Sequence, residues 1–491
     1  MAEPRVPIKW REAFFNIHGK PGHSQPSPLV TWKSLKHRRQ SETGNYDFPS
    51  MYQEAEADPP LVDCATFAKP VEVRKSLAER GSGLFTTQNV SAGDLLLCEK
   101  ALGYAWAEEQ FACRSNRPGY LAFSDTKVGL VGGQARLLAQ LIQKLRLNPE
   151  IQSLFQQLYC GEYKAVADLV VDGQSVVDTF HVAKVIALSG MGAPRSSRAD
   201  FQVQQKNRKR GFSQPGYFSC GLWSLASHIN HCCIANCRRS FIGDMLILRA
   251  TRDLAEGDEL FFNYYAGPNN GGLFSREAQR KLTRVWGYTC QCNFCTTRSQ
   301  LPPAALWKRP LDLIRQITDL IYNHPSRAMQ VNGSRVRSLL GEVQGLEELT
   351  KLRSYHIVYS VPNPESTNFH LGLASIHVWL KDSPEIVAIN LLDGLRCLGF
   401  DITAYPPNPR GILTPAQFIV TSWGVATDIV LSVFSMLITV YKTLCSELLP
   451  AVRGYGRRVY SMMMGQEATA AYDFVDLSPE AQIETIHAAL G

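Results

Sequence analysis

Two cysteine clusters restrict the fold of this chain more than any other feature. Cys232, Cys233 and Cys237 fall in "SHINHCCIANCRRSF", and Cys290, Cys292 and Cys295 in "YTCQCNFCTTR". The second is a C-x-C-x-x-C segment, in which one tight turn presents three thiolates to a single point. Zinc takes four ligands at tetrahedral corners, so this trio is one short. The missing sulfur can come from Cys232, Cys233 or Cys237, and a site completed that way clamps two distant segments together. The competing reading is a set of buried free thiols near a chain reversal. The N-terminal "MAEPRVPIKWREAFF" has no apolar signal-peptide core, so a reducing compartment is expected, where clustered cysteines favour metal over disulfides. Four thiolates on one zinc leave a formal charge of about −2. Arg238, Arg239 and Arg298 lie close enough in sequence to soften it.

The rest of the composition sets bounds. A chain of 491 residues implies two or three domains. Apolar content of 45% with 19% charge fits a folded globular protein and excludes a disordered one. The formal charge of +7 is mild for this length, and direct nucleic-acid binding is not expected. One apolar stretch, 418–441, has the length of a membrane span. Asp428, Ser432, Ser435 and Thr439, however, draw a polar stripe along one helical face, which predicts a bundle helix and no membrane insertion. A monomer in the nucleus or cytoplasm is the expectation.

Along the chain, residues 1–68 read as a loosely ordered arm with a short helix near "NYDFPSMYQEAE". From 69 to 268 the texture is β-rich, with "GLFTTQNV", "DLLLCEKAL", "MLILRATRDL" and "ELFFNYY" as strands. An insertion at about 103–222 is helical, over 134–170 and again at "TFHVAKVIALSGMG". "KNRKR", 206–210, lies in a polar loop and reads as a solvated run, with nuclear import as the alternative. The cysteine-bearing segment 269–298 follows, and 299–491 reads as an all-helical domain. The fold class is α+β. Trp223 and His228 read as structural.

Four motifs occur in order: Arg80-Gly81-Ser82-Gly83 before Leu-Phe; Asn230-His231 before Cys233; Gly-Asp-Glu-Leu-Phe-Phe-Asn-Tyr ending at Tyr264; and the C-x-C-x-x-C of Cys290, Cys292 and Cys295. The ordered set resembles a SET domain followed by a post-SET zinc segment, the fold of protein-lysine methyltransferases. The helical insertion and tail are similar to the SET-and-MYND branch and to fungal relatives with tetratricopeptide repeats. No MYND finger or repeat array is visible here.

This resemblance implies S-adenosylmethionine (SAM) as cofactor, one structural zinc ion, and a protein substrate bearing a lysine, histone or not. It implies that Arg80, Gly81, Ser82 and Gly83 form the cofactor turn, that Asn230 and His231 meet the methionine end and the adenine, and that Tyr288 covers the adenine. Tyr264 would be the catalytic tyrosine and a lining of the cofactor site. Cys233 would complete the zinc site with Cys290, Cys292 and Cys295, which selects it over Cys232 and Cys237. Two positions depart from the family motif: Cys232 stands for the usual serine and Ala235 for the usual proline. The alternative function is a SET-fold zinc-binding scaffold that transfers no methyl group.

Overall fold

The computed structural model describes residues 28–76, 81–106, 120–123, 128–131, 133–166, 169–201, 219–264, 276–297, 302–322, 333–354, 362–405 and 417–466. In chain order the first elements are helices α1 (Pro28–Thr43) and α2 (Phe48–Ala55), then strands β1 (Val71–Lys75), β2 (Ser82–Thr86), β3 (Leu95–Lys100) and β4 (Gly103–Ala105). The insertion holds a hairpin, β5 (Tyr120–Phe123) and β6 (Val128–Val131). It continues with helices α3 (Gly133–Leu147) and α4 (Pro149–Phe155), a small ribbon β7 (Val170–Val171) and β8 (Gln174–Ser175), and helix α5 (Thr179–Ser189). Strands β9 (Met191–Gly192), β10 (Cys220–Leu222), β11 (Asn230–His231), β12 (Cys237–Ile242), β13 (Met245–Ala250) and β14 (Phe261–Phe262) complete the β-rich part.

The organising sheet has the order β12-β13-β3, all antiparallel. Every residue of β13, "MLILRA", is buried, because one face meets the main core and the other meets the N-terminal segment. Here the structure corrects the reading of residues 1–68 as a loose arm. Helix α2 is capped by Asp47, which accepts from the Ser50 backbone, and its Met51, Tyr52 and Ala55 pack on Cys98, Ile242, Met245 and Ile247. The apolar residues of that segment are spaced as one helix face, which is the signal that should have promoted it from arm to core. Residues 1–27 of the same reading lie outside the described residues.

The insertion is shorter in helix than its periodicity suggests. Helix α3 buries Leu137, Leu138, Leu141 and Leu145, α4 ends at Phe155, and the chain then turns and enters the β7-β8 ribbon. Asp178 caps α5 by accepting from His181 N at 3.0 Å. "KNRKR" lies outside the described residues.

After β14 come helices α6 (Arg276–Trp286), α7 (Asn293–Thr297), α8 (Ala304–Tyr322), α9 (Gly333–Gln344), α10 (Glu347–Ser354), α11 (Pro364–Trp379) and α12 (Pro384–Cys397). A hairpin of β15 (Asp401–Ala404) and β16 (Phe418–Ser422) follows, then α13 (Asp428–Leu444) and α14 (Leu449–Met464). The C-terminal part is therefore helical but not all-helical. The strand "FIVTS" is β-branched and alternates in burial, and Pro406, Pro407 and Pro409 precede it in sequence, where no helix interior tolerates them. The stretch read as one helix over 418–441 is a strand followed by α13. Its polar stripe turns inward: Ser432 and Ser435 are buried in α13, and Asp428 pairs with Arg238 at 2.7 Å. Among the described residues no helix is long and apolar enough to cross a membrane.

The C-terminal helices are welded to the β-rich part by specific polar contacts. Arg249 Nε donates to Gly465 O at 3.1 Å, Tyr52 donates to Met464 O, and Arg238 Nη1 donates to Ala426 O. Val425 also packs into the small core around Cys233, Leu282, Cys290 and Phe294.

Candidate active site and metal centre

The Sγ atoms of Cys233, Cys290, Cys292 and Cys295 all lie within 4.8 Å of one another. Cys233 Sγ and Cys295 Sγ are 3.5 Å apart. A tetrahedron of Zn–S bonds near 2.3 Å has sulfur–sulfur edges of about 3.8 Å, so these four sulfurs fit one zinc ion. The ring of thiols also perturbs itself. Hydrogen bonds from the neighbouring sulfurs, Cys233 for Cys290 and Cys232 for Cys292, hold those two thiols well below the ordinary range, while Cys233 is pushed up. A soft dication relieves that crowding by taking all four as thiolates.

The other cysteines of the opening cluster stand apart. Cys237 is buried with its Sγ on Phe261 O at 3.3 Å, and Cys232 sits beside the group as a hydrogen-bond partner of Cys292. Two of the arginines expected to soften the site, Arg238 and Arg239, do not turn towards it. Arg238 is committed to Asp428, Arg239 lies over the Phe262 ring, and Arg298 is outside the described residues.

His231 joins this centre to the strand beyond it. The Tyr264 backbone N–H donates to His231 Nδ1 at 3.0 Å, so the ring proton belongs on Nε2, and Nε2 lies 3.5 Å from Cys233 Sγ. One buried imidazole thus touches a proposed metal ligand and the backbone of the proposed catalytic tyrosine. The parallel pairing of β11 with β14, Asn230 opposite Phe261 and His231 opposite Phe262, sets that geometry.

The glycine turn lies on the other side of Asn230. Gly81 has φ +77°, a left-handed conformation suited to glycine, and a Cβ there would meet open space. At Gly83 a Cβ would stand 2.5 Å from Glu259 Oε1. Glu259 is the pivot: its Oε1 accepts from Asn230 Nδ2 at 2.8 Å and its Oε2 from Ser76 Oγ at 3.0 Å. Asn230 Nδ2 also donates to Ser82 O at 3.2 Å, and Ser82 Oγ is 2.7 Å from His228 Nδ1. Burial pulls His228 down to about 4, which keeps it neutral at physiological pH. Arg80 lies outside the described residues. A narrow turn backed by amide, hydroxyl and carboxylate groups, with space at Gly81, fits the polar end of a SAM molecule. Gly83→Ala must displace Glu259 and with it Asn230. The expected result is about tenfold weaker SAM binding by calorimetry, from an overpacking cost of about 1–3 kcal/mol.

Aromatic rings close the space between turn and metal. Tyr264 is 5.2 Å from His231 and 5.0 Å from Trp286, and Tyr288 is 6.4 Å from His231, centroid to centroid. Tyr264 Oη donates to Ile229 O at 2.9 Å, which spends its proton and leaves the oxygen as an acceptor. Trp286 Nε1 donates to Leu188 O, tying α6 to the end of α5. Sequence reading placed Trp223 and His228 as structural; both are buried, and His228 braces the turn. It missed Glu259 and Trp286. Glu259 stands inside the Gly-Asp-Glu-Leu motif, and Trp286 two residues before Tyr288, so both were within reach of the motif argument.

The comparisons with known proteins agree with this architecture. The family model described as SET domain matches residues 81–265. A methyltransferase of Gibberella zeae is 38% identical over 437 residues, covering 88% of this chain and 57% of that protein. The human histone-lysine N-methyltransferase SMYD3 is 30% identical over 105 residues, 20% of this chain and 24% of its own length. The mouse protein-lysine N-methyltransferase SMYD4 is 29% identical over 85 residues, 17% of this chain and 10% of its own. The chain thus spans little more than half the length of the first of these relatives and less of the others. On motif order, site geometry and family match together, residues 81–265 of the chain are similar to a SET domain.

Proposed function

We propose that this chain is a SAM-dependent methyltransferase that modifies a lysine side chain of a protein, and that Cys233, Cys290, Cys292 and Cys295 hold one structural zinc ion. The observation that carries this reading is the convergence on β11 and β14. Asn230 braces the glycine turn, His231 touches Cys233, and Tyr264 stands beside both. One short loop thereby serves a cofactor turn, a metal centre and a reacting group.

SAM, when bound, supplies a methyl group on a positively charged sulfur. The residues supply position and medium. Gly81, Ser82, Gly83 and Asn230 hold the polar end, and Tyr288 covers the base. A lysine amine must arrive without its proton, yet its ordinary pKa is about 10.4. The aromatic walls of Phe262, Tyr264 and Trp286 disfavour the ammonium form, which lowers that value inside the site. Tyr264 Oη, its proton held by Ile229 O, accepts a hydrogen bond from the amine and fixes its lone pair in line. The tyrosine needs no basicity for this task; alignment is its contribution.

A chase experiment tests the reading. The purified chain is loaded with SAM carrying a tritiated methyl group, freed of excess, and mixed with total cell protein. Methyltransferase action moves the label onto protein in a single turnover. A chain that binds SAM and returns all the label as intact SAM is the scaffold alternative, and the proposal fails.

A further inference from the structure

Among the described residues Arg239 is a cation without a counter-ion, and it lies near the proposed reacting group. Its neighbour Arg238 reaches Asp428 at 2.7 Å, but among the described residues no carboxylate lies within ion-pair distance of Arg239. Its guanidinium stacks over the Phe262 ring, 4.9 Å from the centroid. Burial pulls its pKa down to about 10; the like charge of Arg238 adds to this, and the nearby Tyr264 phenol opposes it. Leaving a half-buried guanidinium unpaired is costly, because it forfeits water and gains no ion in return. Such a group at the edge of a site is explained most economically if its partner arrives with a ligand.

The strand geometry decides which ligand. Side chains alternate along an extended segment, so Glu259 and Phe261 share one face while Leu260 and Phe262 share the other. The glycine turn and Asn230 meet the Glu259 face. Arg239 meets the Phe262 face, and Tyr264 packs in the same core as Phe262. The cation therefore stands on the side of Phe262, Tyr264 and His231, across the strand from the glycine turn and Asn230.

We propose that Arg239 is a carboxylate-binding residue of the acceptor site, which pairs with an acidic side chain flanking the target lysine. A guanidinium stacked on an aromatic ring is held flat and presents its donor edge, the geometry for a two-point grip on a carboxylate. The chain would then prefer lysines with a nearby Asp or Glu over those in basic runs. This inference rests on the methyltransferase reading for the identity of the acceptor, but its test does not require turnover.

The probe is a set of fluorescein-labelled peptides with one central lysine, each flanking position fixed in turn as Glu or as Gln. Binding to the full chain is read by anisotropy in the presence of SAM. At one flanking position Glu should bind about 30-fold tighter than Gln, the scale of a desolvated charge pair. Arg239→Gln should abolish that preference, while Arg239→Lys keeps part of it. SAM affinity by calorimetry should be unchanged in both variants, which also reports that they fold; if Arg239→Gln does not fold, the partial loss in Arg239→Lys carries the test. The proposal is overturned if no position prefers Glu, or if the preference survives Arg239→Gln. It is equally overturned if the variants weaken SAM binding instead, since the carboxylate would then be the cofactor's own. A Glu preference through Arg239 in a chain that transfers no methyl would keep this assignment and remove the methyltransferase reading; transfer with no Glu preference would do the reverse.

Discussion

Replacing Tyr264 with phenylalanine should lower the rate of methyl transfer by about 10²-fold, the usual cost of deleting one positioned polar group at a reacting centre. The substitution removes a single oxygen. That oxygen donates to Ile229 O, and in the proposed reaction it accepts from the amine. The ring contacts with His231 and Trp286 are retained, so the pocket keeps its walls. SAM binding should therefore stay within a few-fold of the parent, because one partly buried hydrogen bond contributes about 1 kcal/mol to a site held by other groups. Single-turnover rates and calorimetry on the same preparation read the two quantities separately. Loss of both in equal measure would make Tyr264 a structural residue and end its catalytic assignment.

Cys233→Ser should have an effect as large, by a different route. Structural zinc sites are worth about 10–16 kcal/mol, so one ligand in four corresponds to roughly 10²- to 10³-fold in metal affinity. The purified variant should carry less than one zinc per chain and lose the remainder to a chelator. SAM binding should weaken with it, since Trp286 and Tyr288 stand on the segment that the metal anchors and His231 touches the lost sulfur. The neighbouring Cys237 provides the control. Its sulfur faces Phe261 O, so Cys237→Ser should leave the zinc in place. Metal analysis by mass spectrometry decides this, and equal zinc in the parent and Cys233→Ser would contradict the assignment.

The parts of the site that sequence revealed are those where chemistry demands a residue type at a fixed spacing. Three cysteines in C-x-C-x-x-C favour a ligand reading over one of buried free thiols, and the Asn-His pair before Cys233 marks the loop they meet. What stayed hidden depends on contacts between elements far apart in the chain. The sulfurs of Cys232, Cys233 and Cys237 are equivalent to spacing arguments; the motif resemblance selects Cys233, and the fold turns Cys237 towards Phe261 and Cys233 towards Cys295. Arg238 and Arg239 likewise look interchangeable in sequence. The strand sends one to Asp428 in α13 and the other over Phe262 in β14.

The fold was legible at the same level. Strands β3 and β13 follow from apolar runs bounded by turns. The differences lie where local pattern competes with tertiary packing: the sequence indicates the short helix α2 but not that it covers one face of the main sheet, and the β15-β16 hairpin has a helical texture in sequence. Helix periodicity over 134–170 also persisted past Phe155, where the described chain leaves the helix. Amphipathic spacing there records a buried face but not the point at which the chain stops winding.

The destination of the methyl group decides the function of this chain. The direct measurement is incubation of the chain with SAM bearing a deuterated methyl, in extract depleted of endogenous SAM, followed by peptide mass spectrometry of every protein present. The account predicts heavy methyl on lysine Nζ of one or a few proteins, absent with Tyr264→Phe. Heavy methyl confined to other residue types, or to none while SAM remains bound, would contradict it.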